Sequence, residues 1–386
     1  MGGHKNMSQI KAVISGVGLW IPEHKVTNEE LVESYNAFAE KFNAEHVDSI
    51  ADGSVEAKPL SSVEFIEKAS GIKSRYVYVK EGILDPDRMT PNIPLRAEDE
   101  LSDQAEISLK AAKRALTAAQ KSATDVDAVI VSCAYTQRYY PAIAIEVQNA
   151  LGIEGFGFDM LVACSAATFA LQRAYEMVVA GTAKCVLVIN PELTSPQNNF
   201  RDRDSHFIFG DVATATIIEG AETCVSEHSY DILYTHAETV YSNNIRSNLG
   251  YMINANNDDP FREYNYFHQE GRRVFKEVCP MAADHIIGSV TKAGLTIQDI
   301  RRWWLHQANI NMNQLITKRL LDRLPDDDEA PIVLDSFANT ASAGSLIAFN
   351  LNHEDLLEDD HGVICSFGAG YSIGSLVIRK RAGGSS

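Results

Sequence analysis

The chain has 386 residues, 45% of them hydrophobic and 22% charged, and its 34 basic against 52 acidic residues give a net charge of −18. This composition fits a soluble globular chain of about two to three domains, or one large duplicated unit, and excludes collagen, coiled coil and wholesale disorder. So acidic a chain does not bind nucleic acid non-specifically. No apolar run is long enough for a membrane-spanning helix, so no membrane partner is expected.

Six cysteines, at 133, 164, 185, 224, 279 and 365, are too scattered for a disulfide framework. Neither CxxC nor a Cys/His zinc spacing occurs, so no metal site is expected. A reduced, cytoplasmic setting follows. The first residues, MGGHKNMSQIKAV, lack the apolar core of a secretory signal.

In chain order, short β-branched runs alternate with longer Ala- and Leu-rich stretches. Residues 11–17 read as a strand and 28–43 as a helix. Ser102 is a fair N-cap for a helix over 103–119, with apolar residues at 105, 109, 112 and 116. Residues 128–132 (AVIVS) read as a strand, 141–151 as a helix and 158–163 as a strand. Residues 166–180 form a helix without internal Gly or Pro, which Gly181 can close. Residues 185–189 and 362–367 are two further strands. Such alternation predicts an α/β fold with buried sheets. Two segments break the pattern. Residues 37–62 are polar without clear period, and 239–270, rich in Asn, Tyr and Asp, read as a loop excursion.

An internal repeat is visible. AAQKSATDVDAVIVSCAY from Ala118 has its counterpart in KAGLTIQDIRRWWLHQAN from Lys292. FGDVATATII from Phe209 echoes FGAGYSIGSLVI from Phe367, and DMLVACSAA from Asp159 echoes DSFANTASA from Asp335. The elements recur in one order. Two related halves are expected, over 1–220 and 221–386.

Four places can carry chemistry. Cys164 lies where a strand gives way to a helix, and a thiol at a helix N-terminus is expected to ionise easily. His306 ends the apolar strand WWLHQAN, a good position for catalysis in an α/β fold. Asn339 sits in the small-residue loop SFANTASAGS and offers an uncharged donor. The Gly368, Ala369, Gly370 turn lets backbone N–H groups approach a ligand oxygen. Each also has a plain structural use, as core thiol, satisfied imidazole, turn residue or hairpin. Gly370-Tyr-Ser372-Ile-Gly374 matches the GxSxG nucleophile pattern, but a strand, SLVIRK, follows it where that motif needs a helix.

FDMLVACSAA, WLHQAN, FANTASAGS and CSFGAGYSIGS, in this order, resemble the motifs of the thiolase-like β-ketoacyl-acyl-carrier-protein synthase III family. The likeness spans nearly the whole chain. It is closer still to the medium-chain branch, the β-ketodecanoyl synthases, through NEELVESYNAF, EFIEKASGIKSR, GILDPDRM, AIAIEVQNALGI and FRDRDSHFIFGDVATA. The resemblance implies a five-layered αβαβα fold, a homodimer, and condensation of an acyl-CoA (octanoyl-CoA in that branch) with malonyl-acyl-carrier protein. It implies Cys164 as nucleophile, His306 and Asn339 as its catalytic partners, and the N–H groups of Cys164 and Ala369 as oxyanion hole. No cofactor is implied, since acyl-CoA is a substrate. Phe65 aligns with a Trp that stacks on the CoA adenine in relatives, and Arg75 is the candidate for its phosphate. Lys276, Lys318, Arg319 and Arg323 are the candidate docking patch for an acidic carrier protein. Ala166, and GDVATA for the usual GDGAGA, depart from the family pattern. An acetyl-CoA-primed or secondary-metabolite synthase and a Cys-His-Asn thioesterase are the alternatives.

Overall fold

The computed structural model describes residues 10–247 and 267–382. β1 (Ala12–Trp20), β2 (His24–Thr27), α1 (Asn28–Glu45), α2 (Val47–Ala51), α3 (Val63–Ser70) and β3 (Ser74–Val77) open the chain. There follow α4 (Asp103–Ala119), β4 (Ala128–Cys133), α5 (Ile143–Leu151), β5 (Phe156–Leu161), α6 (Ala166–Val179), β6 (Cys185–Glu192) and β7 (Val212–Gly220). Next come β8 (Tyr230–Ser242), β9 (Ile245–Arg246), β10 (His268–Gln269), α7 (Gly271–Lys292), β11 (Ile300–Leu305) and α8 (Ile310–Leu321). α9 (Leu334–Phe337), α10 (Gly344–Leu351), β12 (His361–Gly368) and β13 (Gly370–Lys380) complete it.

Nine strands lie side by side in the order β11-β12-β13-β8-β1-β7-β6-β4-β5. β1 and β8 meet in the middle, at Val13–Asp231 and Ile14–Tyr230. Outward from that junction, β1-β7-β6-β4 on one side is matched by β8-β13-β12-β11 on the other. Each series runs antiparallel, antiparallel, parallel. The strands' two faces feed different cores. In β4, Ala128 and Ile130 point to a central core, and Val129 and Val131 to an outer one under α4 and α5. In β12, Ile364 joins the central core, and Val363 and Cys365 a second outer one under α7 and α8. α6 and α10 fill the centre. The result is the expected αβαβα layering. Strands sealed on both faces read as continuous apolar runs, which is why they stood out.

Local signals explain the element ends. The Ser102 hydroxyl accepts from Ala105 N and starts α4. Ser122 with Asp125, and Thr296 with Asp299, form the same capping box before β4 and β11. The repeat therefore extends to individual hydrogen bonds.

Three expectations need correction. Residues 37–62 are not irregular at their start, since α1 runs through Glu45 and α2 follows. The buried face of α1 (Leu31, Tyr35, Ala39) packs on Ile66, Phe200 and Phe207. The excursion at 239–270 begins later than read, because β8 continues to Ser242 in register with β13. Residues 248–266 of it lie outside the described residues. The repeat register also shifts at the nucleophile turn. The short 3-10 turns Ala163–Ser165 and Ala341–Ala343 correspond, so the counterpart of Cys164 is Ser342, not Thr340.

Candidate functional site

Both 3-10 turns begin with an alanine at positive φ, +45° at Ala163 and +48° at Ala341. That conformation is strained for an L-residue, so the surroundings must hold it. The Ser165 hydroxyl donates to Ser372 O at 2.8 Å, tying the Cys164 turn to β13. Gly368 lies directly against Cys164: a Cβ there would stand 2.6 Å from the Cys164 Cβ. Cys164 and Ala369 face a common cavity of about 130 Å³, walled by Ala134, Tyr135, Phe209 and Phe267. Ser372 is buried inside β13, and its hydroxyl donates to Ala369 O at 2.8 Å. It shapes the Ala369 turn and is no exposed elbow nucleophile.

Asn339 reaches the site from the second half. Its N–H donates to Ile208 O at 2.9 Å, and its carbonyl accepts from Gly210 N at 3.1 Å. Gly210 permits this approach, since a Cβ there would meet Phe337 O at 2.5 Å. The side-chain Oδ1 accepts from Ala341 N at 2.9 Å, while Nδ2 has no partner among the described residues. The amide is thus oriented with its donor end free. His306 follows β11; its N–H donates to Cys365 O at 2.8 Å, and its ring stands edge-on to Phe367 at 5.2 Å. Its Nδ1 is buried without a partner among the described residues. Burial lowers its pKa to about 4, against a raising effect of the Ala341 backbone. A neutral imidazole results, able to donate at one nitrogen and accept at the other. Gln307 braces the approach to Asn339: Oε1 accepts from Val333 N and Leu334 N at 3.0 and 3.2 Å.

Ala341 connects the three side chains. It lines the Cys164 cavity, binds Asn339 Oδ1 and abuts the His306 ring. A second cavity, about 220 Å³, reaches Asn339 past Ala69, Ile72, Phe207, Phe275 and Met312. The two cavities reach the site by different walls. A larger cavity, about 430 Å³, is lined by Glu67, Asp326, Asp327 and Asp335 and by none of the three residues.

The thiol behaves differently from expectation. Burial pushes Cys164 up to about 12, and the negative charge of Glu192 adds to it, against a lowering contribution from its own backbone N–H. The resting thiol is protonated. Glu192 is a residue that sequence reading missed. It is 1% exposed, its carboxylate accepts from Ala134 N and Ser342 N at 3.1 Å, and it also binds the Ser342 hydroxyl. It joins the end of β4 to the turn that follows Asn339. Burial raises it to about 7, so its charge beside the thiol grows as pH rises through neutrality. Glu192→Gln removes that charge, and the thiol pKa falls. Alkylation of Cys164 by iodoacetamide at pH 8 then speeds up several-fold; an unchanged rate–pH profile contradicts the link.

Arg75 is a correction. Its guanidinium is buried, donating to Val26 O at 3.2 Å, Asn28 Oδ1 at 2.9 Å and Phe207 O at 3.1 Å. It fastens β3 to β2, to the start of α1 and to Phe207, with its guanidinium turned inward and not presented to a ligand phosphate. Phe65 is half-buried, with the Arg203 guanidinium 3.6 Å over its ring. Arg203 was also missed, because nothing in RDRDSH distinguishes one arginine from the other. In the basic patch, Arg323 is paired with Glu329; outside it, Arg301 and Arg302 of β11 are paired with Asp328 and Asp355. Lys276, Lys318 and Arg319 are exposed on α7 and α8, with no ion pair among the described residues.

Comparison with known proteins identifies the family. Residues 158–239 match the 3-oxoacyl-[acyl-carrier-protein] synthase III model, and 290–380 match its C-terminal model. The chain is 52% identical to a β-ketodecanoyl-[acyl-carrier-protein] synthase of Pseudomonas aeruginosa, over 90% of this chain and all of that protein. It is 27% identical to a β-ketoacyl-[acyl-carrier-protein] synthase III of a Chelativorans species, over 96% of this chain and 99% of that one. The structure of the Aquifex aeolicus 3-oxoacyl-[acyl-carrier-protein] synthase III superposes with a TM-score of 0.73 at 22% identity, covering 95% of this chain and 99% of that one. The chain belongs to the β-ketoacyl-acyl-carrier-protein synthase III family, thiolase-like acyltransferases that perform the condensation of fatty acid biosynthesis.

Proposed function

We propose that this chain joins the acyl group of octanoyl-CoA to malonyl-acyl-carrier protein, giving β-ketodecanoyl-carrier protein. The observation that carries the mechanism is the free Asn339 amide donor and the neutral His306, both meeting Ala341, which lines the Cys164 cavity. Cys164 attacks the acyl thioester, a Cys164 thioester forms, and CoA leaves with the thiol proton. The N–H groups of Cys164 and Ala369 hold the oxyanion. The malonyl thioester oxygen then binds His306 and Asn339. Carbon dioxide leaves, its bonding pair becomes the enolate, and the enolate carbon expels the Cys164 thiolate, which takes up a proton. The atoms balance without a metal or redox cofactor.

The chain length rests on the name of the Pseudomonas relative. A ten-carbon β-keto product, less the two carbons from malonyl, leaves an eight-carbon primer. A condensation assay with acyl-CoAs of two to twelve carbons tests it. An optimum at eight supports the reading, an optimum at two overturns the chain length, and free acid as product overturns the condensation.

The stacked Phe65 and Arg203 offer a planar platform for the CoA base near the mouth of the Asn339 channel, where Asp204 and Phe207 lie. β5 supports a homodimer. It is the sheet's edge, every residue is at least partly exposed, and Phe156 and Leu161 are 42% and 54% exposed. Pairing with a second copy removes that edge. No helix among the described residues is long and apolar enough to cross a membrane, which fits a cytoplasmic enzyme.

Lys276 on α7, with Lys318 and Arg319 on α8, flanks the channel helices in an otherwise acidic chain. Charge of that sign steers an acidic carrier protein. Lys318→Glu with Arg319→Glu lowers turnover of malonyl-carrier protein about tenfold and spares acyl-CoA loading. Equal loss of both activities contradicts the docking role.

A further inference from the structure

The role assigned here to Tyr135 rests on octanoyl-CoA being the substrate, and the cavity at Cys164 is too small for that acyl group. Its 130 Å³ is slightly below the about 150 Å³ of an apolar cavity that takes benzene, a compact group of six carbons.

A further cavity of about 330 Å³ shares Tyr135 with it. Ile93, Pro94, Leu193 and Pro196 give it an apolar wall, Leu95 lies exposed at its rim, and Arg96 and Asp103 stand among its polar lining residues. Tyr135 lines both cavities, with Ala134 on the Cys164 side and Thr136 on the other. The Tyr135 backbone is fixed: its carbonyl accepts from Gln104 Nε2 at 2.7 Å and from the Cys133 thiol at 3.0 Å. Its phenol is not: the hydroxyl has no partner among the described residues. Turning the ring therefore breaks no hydrogen bond. Burial raises the phenol pKa, and the negative charge of Glu192 adds to it, so the group stays neutral and takes no acid–base part.

We propose that Tyr135 is a movable wall in the acyl site, and that the outer half of a medium-length chain passes it into the Ile93–Leu193 chamber. The ring then sets the chain length. Short acyl groups fit in front of it and leave the chamber empty. Chains of about eight carbons turn it aside and gain burial in the chamber, each added methylene strengthening binding about fourfold.

The test is acylation of the full-length protein by acyl-CoAs of four to fourteen carbons, read as intact-mass adducts on Cys164 with the rate of each. Tyr135→Ala moves the optimum up by two to four carbons. Leu193→Trp fills the chamber from its far side, cutting octanoyl loading at least tenfold while butyryl loading persists. Variants that load Cys164 with the wild-type chain-length profile overturn the movable wall. A wild-type protein that loads no medium-chain acyl group overturns the underlying substrate reading instead, so the two failures are distinguishable.

Discussion

Cys164→Ala abolishes acyl transfer from acyl-CoA to the protein, and all condensation with it. Among the described residues no second thiol lines the cavity: its other walls are Ala, Phe, Ile and the neutral Tyr135, with Arg246 and Ser247 at the β9 side. Ser342, the counterpart of Cys164 in the second half, is buried and committed to Glu192. Loss of a covalent nucleophile costs about 10⁴-fold or more. The measurement is intact mass after incubation with octanoyl-CoA. An adduct persisting in the variant places the nucleophile elsewhere. The high thiol pKa does not oppose the role. Transfer from one thioester to another passes the proton between sulfurs, and the oxyanion hole supplies the stabilisation when charge develops.

His306→Ala and Asn339→Ala give the second large effect, of a different kind. Each leaves acyl loading in place and cuts decarboxylative condensation by roughly 10²–10³. The split follows from geometry. Cys164 and Ala369 share the first cavity, while Asn339 closes the second. The double variant loses less than the product of the two, because both donors serve one oxygen. The pH dependence has a definite sign. Burial holds His306 at about 4, so acidification from pH 8 to 5 leaves it neutral. Condensation by pre-acylated protein then shows no fall centred near 6.5, the ordinary imidazole value. A fall there contradicts the buried, neutral imidazole.

Much of the fold was legible because its signals are local. A strand sealed on both faces carries a continuous apolar run, as AVIV in β4, CVLVI in β6 and VIC in β12 do. Ser102, and the Ser122 and Thr296 boxes, announce themselves through short-range spacing. Cys164 and His306 stood out because each sits where a strand meets a turn, and Asn339 because it stands in a small-residue loop. What was missed depends on contacts distant in sequence. Glu192 ends a strand as many glutamates do, and its importance arises from Ser342, 150 residues away. Arg75 looked available in GIKSRY, but β3 turns it inward to Phe207, 132 residues on. The thiol's pKa was misjudged because a helix N-terminus is visible in sequence, whereas enclosure by Gly368 and a neighbouring carboxylate is not. Tyr135 carries no motif; only the two cavities it divides reveal it.

A single-turnover chase tests the central claim most directly. The protein is loaded with radiolabelled octanoyl-CoA, freed of CoA, and mixed with malonyl-acyl-carrier protein. The expected result is label leaving the Cys164 peptide and appearing in β-ketodecanoyl-carrier protein, with one carbon dioxide released per chain. Label released as free octanoic acid, or condensation without label ever residing on Cys164, contradicts a decarboxylative synthase working through that thiol.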